Sequence, residues 1–483
     1  MNALRAAFFC VSPRAFWNWG RVVLGGGFAL FLLLLLYLTR FAPQYVIVLP
    51  ALAIGVAGAW VLFRYPLANL SVVLMGFVLI VSHSEGLNVL EVLYGLYALG
   101  FLTHWFVTRA FLYQDTILDT PEAKALFLFL VGVTLSVVLT VLFGGRMSGV
   151  LSEWTALAML GFYYPVKEAC TRYRNGVIVV LVAIAWIGLF ISVRNALDYY
   201  YGLNNAKYLF QIAKGRVIMN DNLFMITALF ALVFLVFSER WSHRLLLMGG
   251  FLLFSGGMIL TQGRALWVSF ALAAFVMFVL VQRRHKMRLV GYGTLAGVSI
   301  LGFGMLFFGD LVLLIIGGLI ERASTLGESA TADISLMSRV VEAQGALEYL
   351  RQSPILGMGM GVSYHFFDII SQTTVERTFI HNGYVGLWYR FGVWGVGLML
   401  FFWVRSVWIG MALFRRKTAP LVLRLCGMAA MLCLGAMLIT ANTSNPFFLK
   451  DTTFVFGLLT GLVAGAHARA RLLASRPDTS GLA

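Results

Sequence analysis

The chain is 483 residues long, 60% hydrophobic and 12% charged, where a soluble domain carries roughly 25% charge. That composition excludes a water-soluble fold, so the formal net charge of +16 is a matter of membrane sidedness rather than a sign of nucleic-acid binding. Cys10, Cys170, Cys426 and Cys433 show no CxxC spacing and indicate neither a disulfide framework nor a zinc site.

Hydropathy breaks divide the chain into about 14 predicted spans, each near the roughly 17–25 residues a helix needs to cross hydrocarbon. In chain order they fall at 22–39, 45–63, 67–82, 88–108, 125–143, 150–166, 177–194, 221–238, 244–260, 265–281, 289–308, 382–404, 422–441 and 452–468. None shows the polar alternation of a barrel strand. The expected fold is an all-α polytopic transmembrane bundle. No small-residue cleavage motif follows the first apolar run, which is expected to stay as a span.

Placing both termini in the cytoplasm puts Arg172, Arg174, Arg240, Arg283, Arg415 and Arg469 among many others on the inner face, in keeping with the positive-inside bias. Residues 1–174 read as a transmembrane scaffold, in which Asp119-Thr-Pro-Glu122 marks a cytoplasmic helix start. Residues 175–307 form a central transmembrane region with outer-face arginines, and residues 308–380 a large, partly helical periplasmic loop. Residues 381–475 form a C-terminal transmembrane region and residues 476–483 a disordered tail.

Inside the large loop, Val340, Ala343, Leu347 and Leu350 recur at helical spacing and predict a helix over Ser338–Arg351 that Pro354 stops. Arg339, Glu342 and Glu348 fall elsewhere on its wheel. The glycine-rich stretch that follows, Pro354-Ile-Leu-Gly-Met-Gly-Met-Gly361, lets backbone approach a ligand or another helix closely. Glu321, Glu328, Asp333, Asp368 and Glu376 read as solvated loop carboxylates rather than a catalytic pair.

Three arginines stand at outer ends of apolar elements, against the positive-inside bias: Arg216, Arg264 and Arg339. A guanidinium in such a place either anchors to lipid headgroups or grips an anion, for which its planar fork suits phosphate. His381 sits where the large loop meets the next span, and a neutral imidazole there can accept a proton from a hydroxyl. The alternative for His381 is a structural hydrogen bond. His365 competes for the same role. No GxxxxGK[ST] loop occurs, and no pair of histidines or cysteines has metal-ligand spacing.

Four motifs in order resemble those of the O-antigen ligase and repeat-unit polymerase superfamily. Gly215-Arg-Val-Ile-Met-Asn-Asp-Asn-Leu-Phe224 resembles an arginine-asparagine motif opening a span, with Asn220-Asp-Asn222 where the family has Asn-Pro-Asn. Thr261-Gln-Gly-Arg-Ala-Leu-Trp267 resembles a Thr-x-Ser-Arg motif, with Gly263 in the place of serine. Ser338-Arg339 with Pro354-Ile-Leu-Gly-Met-Gly359 resembles the family's periplasmic-loop stretch. His381-Asn-Gly-Tyr-Val with Gly392 and Gly395 resembles its histidine-asparagine helix start.

The resemblance implies a glycosyltransferase of the bacterial inner membrane that needs neither cofactor nor metal. Its donor would be an undecaprenyl-diphosphate-linked glycan, and its acceptor a hydroxyl of another glycan, of lipid A core or of protein, used with inversion at the periplasmic face. Arg216, Arg264 and Arg339 would hold the diphosphate, His381 would deprotonate the acceptor hydroxyl or orient it, and Asn222, Asn382 and His365 would support them. No nucleic acid is implied. The rival reading from the residues is a transporter or flippase for an anionic lipid-linked substrate, although ionisable residues near the midplane and repeated halves are not evident.

Overall fold

The computed structural model describes residues 64–79, 89–205, 221–309 and 334–475, with a few isolated positions besides. Arg216, Cys10, Glu321, Glu328, Asp333, the expected spans at 22–39 and nearly all of 45–63, and the 476–483 tail lie outside the described residues. Met1–Asn69 and Leu70–Ala483 form two separate compact units. The site lies in the second.

The described helices are α1 (Pro66–Gly76), α2 (Val89–Val107), α3 (Pro121–Leu135), α4 (Val137–Leu142), α5 (Met147–Ala158), α6 (Tyr163–Arg172), α7 (Gly176–Asn204) and α8 (Asp221–Phe237). They continue with α9 (Trp241–Leu260), α10 (Arg264–Leu280), α11 (Arg283–Phe308), α12 (Ile334–Leu350), α13 (Gly383–Arg415), α14 (Leu421–Thr440) and α15 (Lys450–Ala474). Seven helical stretches among the described residues are long and apolar enough to cross a membrane. Leu135, Val138, Val141, Leu246 and Phe275 are exposed on helix surfaces, as lipid-facing side chains are. The chain is a multi-pass membrane protein; three shorter apolar helices, Pro66–Gly76, Asn222–Phe237 and Arg264–Leu280, accompany the seven among the described residues, and two of the 14 expected spans fall almost wholly outside those residues.

The span expected at 150–166 is not one α-helix. It is α5 and α6 joined by a 3-10 turn over Met159–Phe162. Pro165 lacks the N–H that a continuous α-helix would direct to the Gly161 carbonyl, and the Tyr163 N–H takes that carbonyl instead. Asp119-Thr-Pro-Glu122 does start a helix: α3 has Thr120 as N-cap and Pro121 at its first position, where the missing N–H costs no bond.

α15 forms the centre of the bundle and is buried over most of its length. Gly457, Gly461 and Gly465 recur every four residues along it and present backbone to the chain from Met159 to Cys170. A Cβ at these positions would lie 2.9 Å from the Met159 oxygen, 2.7 Å from that of Tyr163 and 2.5 Å from that of Lys167. This ladder of small residues lets two helices approach backbone to backbone where van der Waals contact drives association. Gly410 and Gly427 do the same between α13 and α14, each facing the other's carbonyl oxygen.

The described residues before α13 hold the expected helix, α12, and a pair of strands that was not expected. After α12 comes an antiparallel hairpin, β1 (Tyr364–Asp368) and β2 (Thr373–Arg377), with Tyr364 opposite Arg377 and Phe366 opposite Val375. Aromatic and β-branched residues favour this pairing. Tyr364, Phe366 and Asp368 are buried while His365 and Phe367 are exposed. Phe366 lies against α12 where Gly345 leaves room. Ala346, Leu350, Met358, Val362, Tyr364, Phe366, Ile380 and Tyr389 form the core beneath.

α13 is broken near its start. Gly392 has φ 64 and ψ −169, a conformation that only glycine adopts without strain. The carbonyls freed just before it are taken by the glycine-rich stretch: Met358 N–H donates to Tyr389 O at 2.7 Å and Gly359 N–H to Arg390 O at 3.1 Å. The close partner of this stretch is therefore a helix.

Candidate active site at the junction of loop and bundle

Five elements meet around His381. α12 supplies Ser338, Arg339 and Glu342 on neighbouring turns of one helix, where residues three and four apart share a face. Glu342 is buried, at 2% exposure. Its Oε2 accepts the His381 backbone N–H at 3.2 Å and lies 2.8 Å from His381 Nδ1. Its Oε1 lies 3.9 Å from Arg377 Nη1 on β2. The His381 side chain is 37% exposed, with the Phe379 ring edge-on at 5.3 Å.

Residues 441–445, the turn between α14 and α15, form the platform for the start of α13. Gly383 N–H donates to Ala441 O at 2.8 Å, Asn382 Nδ2 to Asn442 O at 3.0 Å and Asn445 Nδ2 to Ile380 O at 2.8 Å. Arg339 Nη1 donates to Thr443 O. Arg339 and the residues flanking His381 are thus fastened to one turn, although 42 positions separate Arg339 from His381 in sequence (381 − 339).

Asn382 is the N-cap of α13: its Oδ1 accepts the N–H groups of Tyr384 and Val385, both at 3.0 Å. Both ends of its amide hold the backbone, which is structural work. His365 does not join His381. It lies on the exposed face of β1, 3.0 Å from the Tyr349 hydroxyl.

Arg264 stands on another hairpin, at the first position of α10. The turn before it is tight: Thr261 Oγ1 donates to Met258 O at 2.7 Å and accepts Gly263 N–H at 3.1 Å, with Gln262 at φ 51. Gly263 itself has φ −84, so its backbone does not require glycine. α10 packs against α14, the helix that ends at the 441–445 turn. Asn222, in the first turn of α8, is fully buried. Of the three expected arginines, Arg339 bonds to the 441–445 turn that also holds Asn382 and Gly383, and Arg264 stands on the turn before α10.

One expectation for a carboxylate changes, that for Asp368, while Glu376 stays exposed. Asp368 is 5% exposed rather than solvated. It accepts from Ser338 Oγ at 3.2 Å, Ile370 N–H at 3.1 Å and Ser371 Oγ at 3.1 Å, and lies 3.5 Å from Arg377 Nη2. The Ile370 N–H above all, then the two hydroxyls and Arg377, hold its carboxyl below the usual range. Glu376 is likewise lowered, first by the Ser363 hydroxyl at 2.6 Å and then by Arg146.

A second buried network fixes the same segment. Arg390, 3% exposed, donates from Nε and Nη2 to Glu153 Oε1 at 3.1 and 2.8 Å, and from Nη1 to Val362 O at 2.8 Å. Nη2 also donates to Thr378 O, and Glu153 Oε2 accepts Gly361 N–H at 3.1 Å. The guanidinium fork thereby ties α5 to α13 and to both sides of the hairpin. Among the described residues, no group of three or more His, Cys, Asp or Glu is placed to hold a metal ion.

Glu342, Arg390 and Asn445 are absent from the sequence-based set of site residues. The usable signal for Glu342 is its spacing of one helical turn from Arg339. For Arg390 it is an arginine within an otherwise apolar helix, a costly placement that usually marks a partner.

Residues 249–402 match the family described as O-antigen ligase. The matched stretch runs from α9 into α13 and includes Arg264, Arg339, Glu342 and His381. No curated protein matches the chain.

Proposed function

We propose that this multi-pass membrane protein, whose residues 249–402 match the O-antigen ligase family, transfers a glycan from undecaprenyl diphosphate to an acceptor hydroxyl at the periplasmic face of the inner membrane. The observation that carries the reading is the junction itself. His381 is half-exposed, and an arginine from α12 bonds to the same 441–445 turn that holds the residues on either side of it, which suits a site where a membrane-borne donor would meet its acceptor.

In this reaction the acceptor oxygen attacks the anomeric carbon while the bond from that carbon to the diphosphate oxygen breaks. The leaving lipid diphosphate takes the electron pair. His381 accepts the hydroxyl proton, a task arginine cannot perform at neutral pH. Arg339 and Arg264, with Arg216 by its motif, stabilise the charge growing on the diphosphate. Arg264 adds the positive end of α10 to its own charge. Attack from the face opposite the diphosphate inverts the anomeric configuration. Asn382 and His365 have no chemical part in this scheme.

His381→Ala should reduce transfer by about 10²-fold or more while the protein still inserts and binds donor. Purified enzyme supplied with lipid-linked glycan, with and without lipid A core, reads both the loss and the acceptor. Growth on donor alone identifies a polymerase, and product only with core a ligase. Near-normal transfer by well-expressed His381→Ala protein removes His381 from the mechanism.

A further inference from the structure

We infer that Glu342 is the positioning residue of the site: it fixes the hydrogen of His381 on Nδ1 and leaves Nε2 as the atom that takes the acceptor's proton. The inference rests on the reading of His381 as base. It goes beyond that reading by naming the atom that reacts and the group that selects it.

The geometry of one oxygen carries the argument. Glu342 Oε2 accepts the backbone N–H of His381 at 3.2 Å and lies 2.8 Å from the same residue's Nδ1. A backbone N–H can only donate. The lone pairs of Oε2 therefore face His381, and a hydrogen on this oxygen would compete with that donor. In the shorter contact Nδ1 must then be the donor, and the neutral ring keeps its free lone pair on Nε2. The two bonds also fix the ring relative to its own backbone.

Burial makes the arrangement consequential. Glu342 is 2% exposed, and a buried carboxylate needs compensation. Arg377 Nη1, 3.9 Å from the other oxygen, supplies charge, and Arg377 is itself anchored by Asp368 at 3.5 Å and by the Phe366 ring at 5.4 Å. Tyr364 adjoins the same carboxylate; burial first, and then Glu342, push its phenol up, so it faces the site uncharged. The charged groups on the elements packed around this segment are Glu342 and Arg339 on α12, Asp368 at the end of β1 and Arg377 on β2. Glu342 alone among them contacts the ring through a described hydrogen bond.

As His381 takes the hydroxyl proton on Nε2 it becomes an imidazolium. Its new charge then lies one hydrogen bond from a carboxylate, in surroundings where such a pair is worth more than in water. The hydroxyl O–H bond breaks, the new C–O bond forms, and the diphosphate departs with the electron pair. The proton leaves Nε2 for solvent before the next cycle.

The test uses the full-length protein in lipid nanodiscs, with two charge-removing variants of opposite effect. Nitrogen-15 histidine spectra of wild type, Glu342→Gln and Arg377→Gln are recorded across pH, with His381 assigned by its loss in His381→Ala. The wild type should show hydrogen on Nδ1. Glu342→Gln should lower the midpoint of His381, since an opposite charge is removed, and Arg377→Gln should raise it. The acid limb of the pH profile of kcat/KM should move in the same two directions. In Glu342→Gln, kcat should fall about tenfold or more while donor KM changes by less than about threefold.

A hydrogen on Nε2 in the wild type, or unchanged midpoints in both folded variants, overturns the inference. Should the midpoints shift as expected while His381→Ala protein keeps transferring glycan, Glu342 still positions the ring and the reading of His381 as base is what fails.

Discussion

Replacing Arg390 with alanine should be the most damaging single change outside the reacting groups. Its guanidinium gives two hydrogen bonds to Glu153 and one each to the carbonyls of Val362 and Thr378. Truncation leaves a carboxylate that is only 13% exposed, together with two carbonyls, without their donor. Breaking a buried pair from one side costs about 3–5 kcal/mol, a factor of roughly 10² to nearly 10⁴ in the population of the intact arrangement. Arg390→Lys should recover little, because an ammonium lacks the planar fork that reaches both Glu153 and the carbonyls. The chain carries its own reporters, since Cys170, Cys426 and Cys433 are free and buried. A maleimide dye that fluoresces on reaching thiols, in a Cys10→Ser background, therefore follows thermal unfolding in detergent. Arg390→Ala should unfold at a clearly lower temperature and lose transfer. Arg390→Met combined with Glu153→Leu should be less damaging than the sum of its parts by about 1 kcal/mol or more. An Arg390→Ala midpoint within about 2 °C of wild type, with additive single changes, would refute the clamp.

Asn382→Ala removes the N-cap of α13 and the bond to Asn442 O, and should cost about 1–2 kcal/mol; Asn382→Asp keeps the cap acceptor and should fall between alanine and wild type in the same thiol assay. The Asp368 carboxyl, held low by the Ile370 N–H, Ser371, Ser338 and Arg377, adds stability that is fully present above the unfolded value of about 4 and is lost as pH falls through the lower folded value. Asp368→Asn should accordingly be less stable than wild type at pH 7, and the two thermal midpoints should converge as the pH is taken below about 4. Equal gaps at pH 7 and pH 3 would show that the carboxylate charge is irrelevant there.

The bundle was legible because span signals add over about 20 residues, so that one misplaced side chain cannot hide them. The boundaries of α9, α10 and α14 accordingly lie within a few residues of the hydropathy breaks. The hairpin was not legible. Tyr364–Asp368 is a short, largely apolar run with one histidine, and such runs fit a strand or a helix end equally well until a partner strand is present. The glycine ladder of α15 is visible as a four-residue period, but only its contact with Tyr163 and Lys167 shows which helix it faces.

Glu342 is the more instructive case. On the wheel of α12 it is a polar residue off the apolar stripe, and periodicity alone sends it to solvent. It is buried because the chain between β2 and α13 crosses that side of the helix and brings the His381 backbone N–H to it. That crossing is imposed from elsewhere: Asn382 and Gly383 are fastened to Asn442 and Ala441, and Ile380 to Asn445, on a turn about 60 residues further along the chain. The arginine and histidine can be found from local motifs because each occupies the end of an apolar element. The carboxylate that sets the ring can be found only once the 441–445 turn has placed His381 over α12. Asn445, 1% exposed and bonded to the Ile380 carbonyl, is therefore as much a determinant of where the imidazole stands as the residues beside it in sequence.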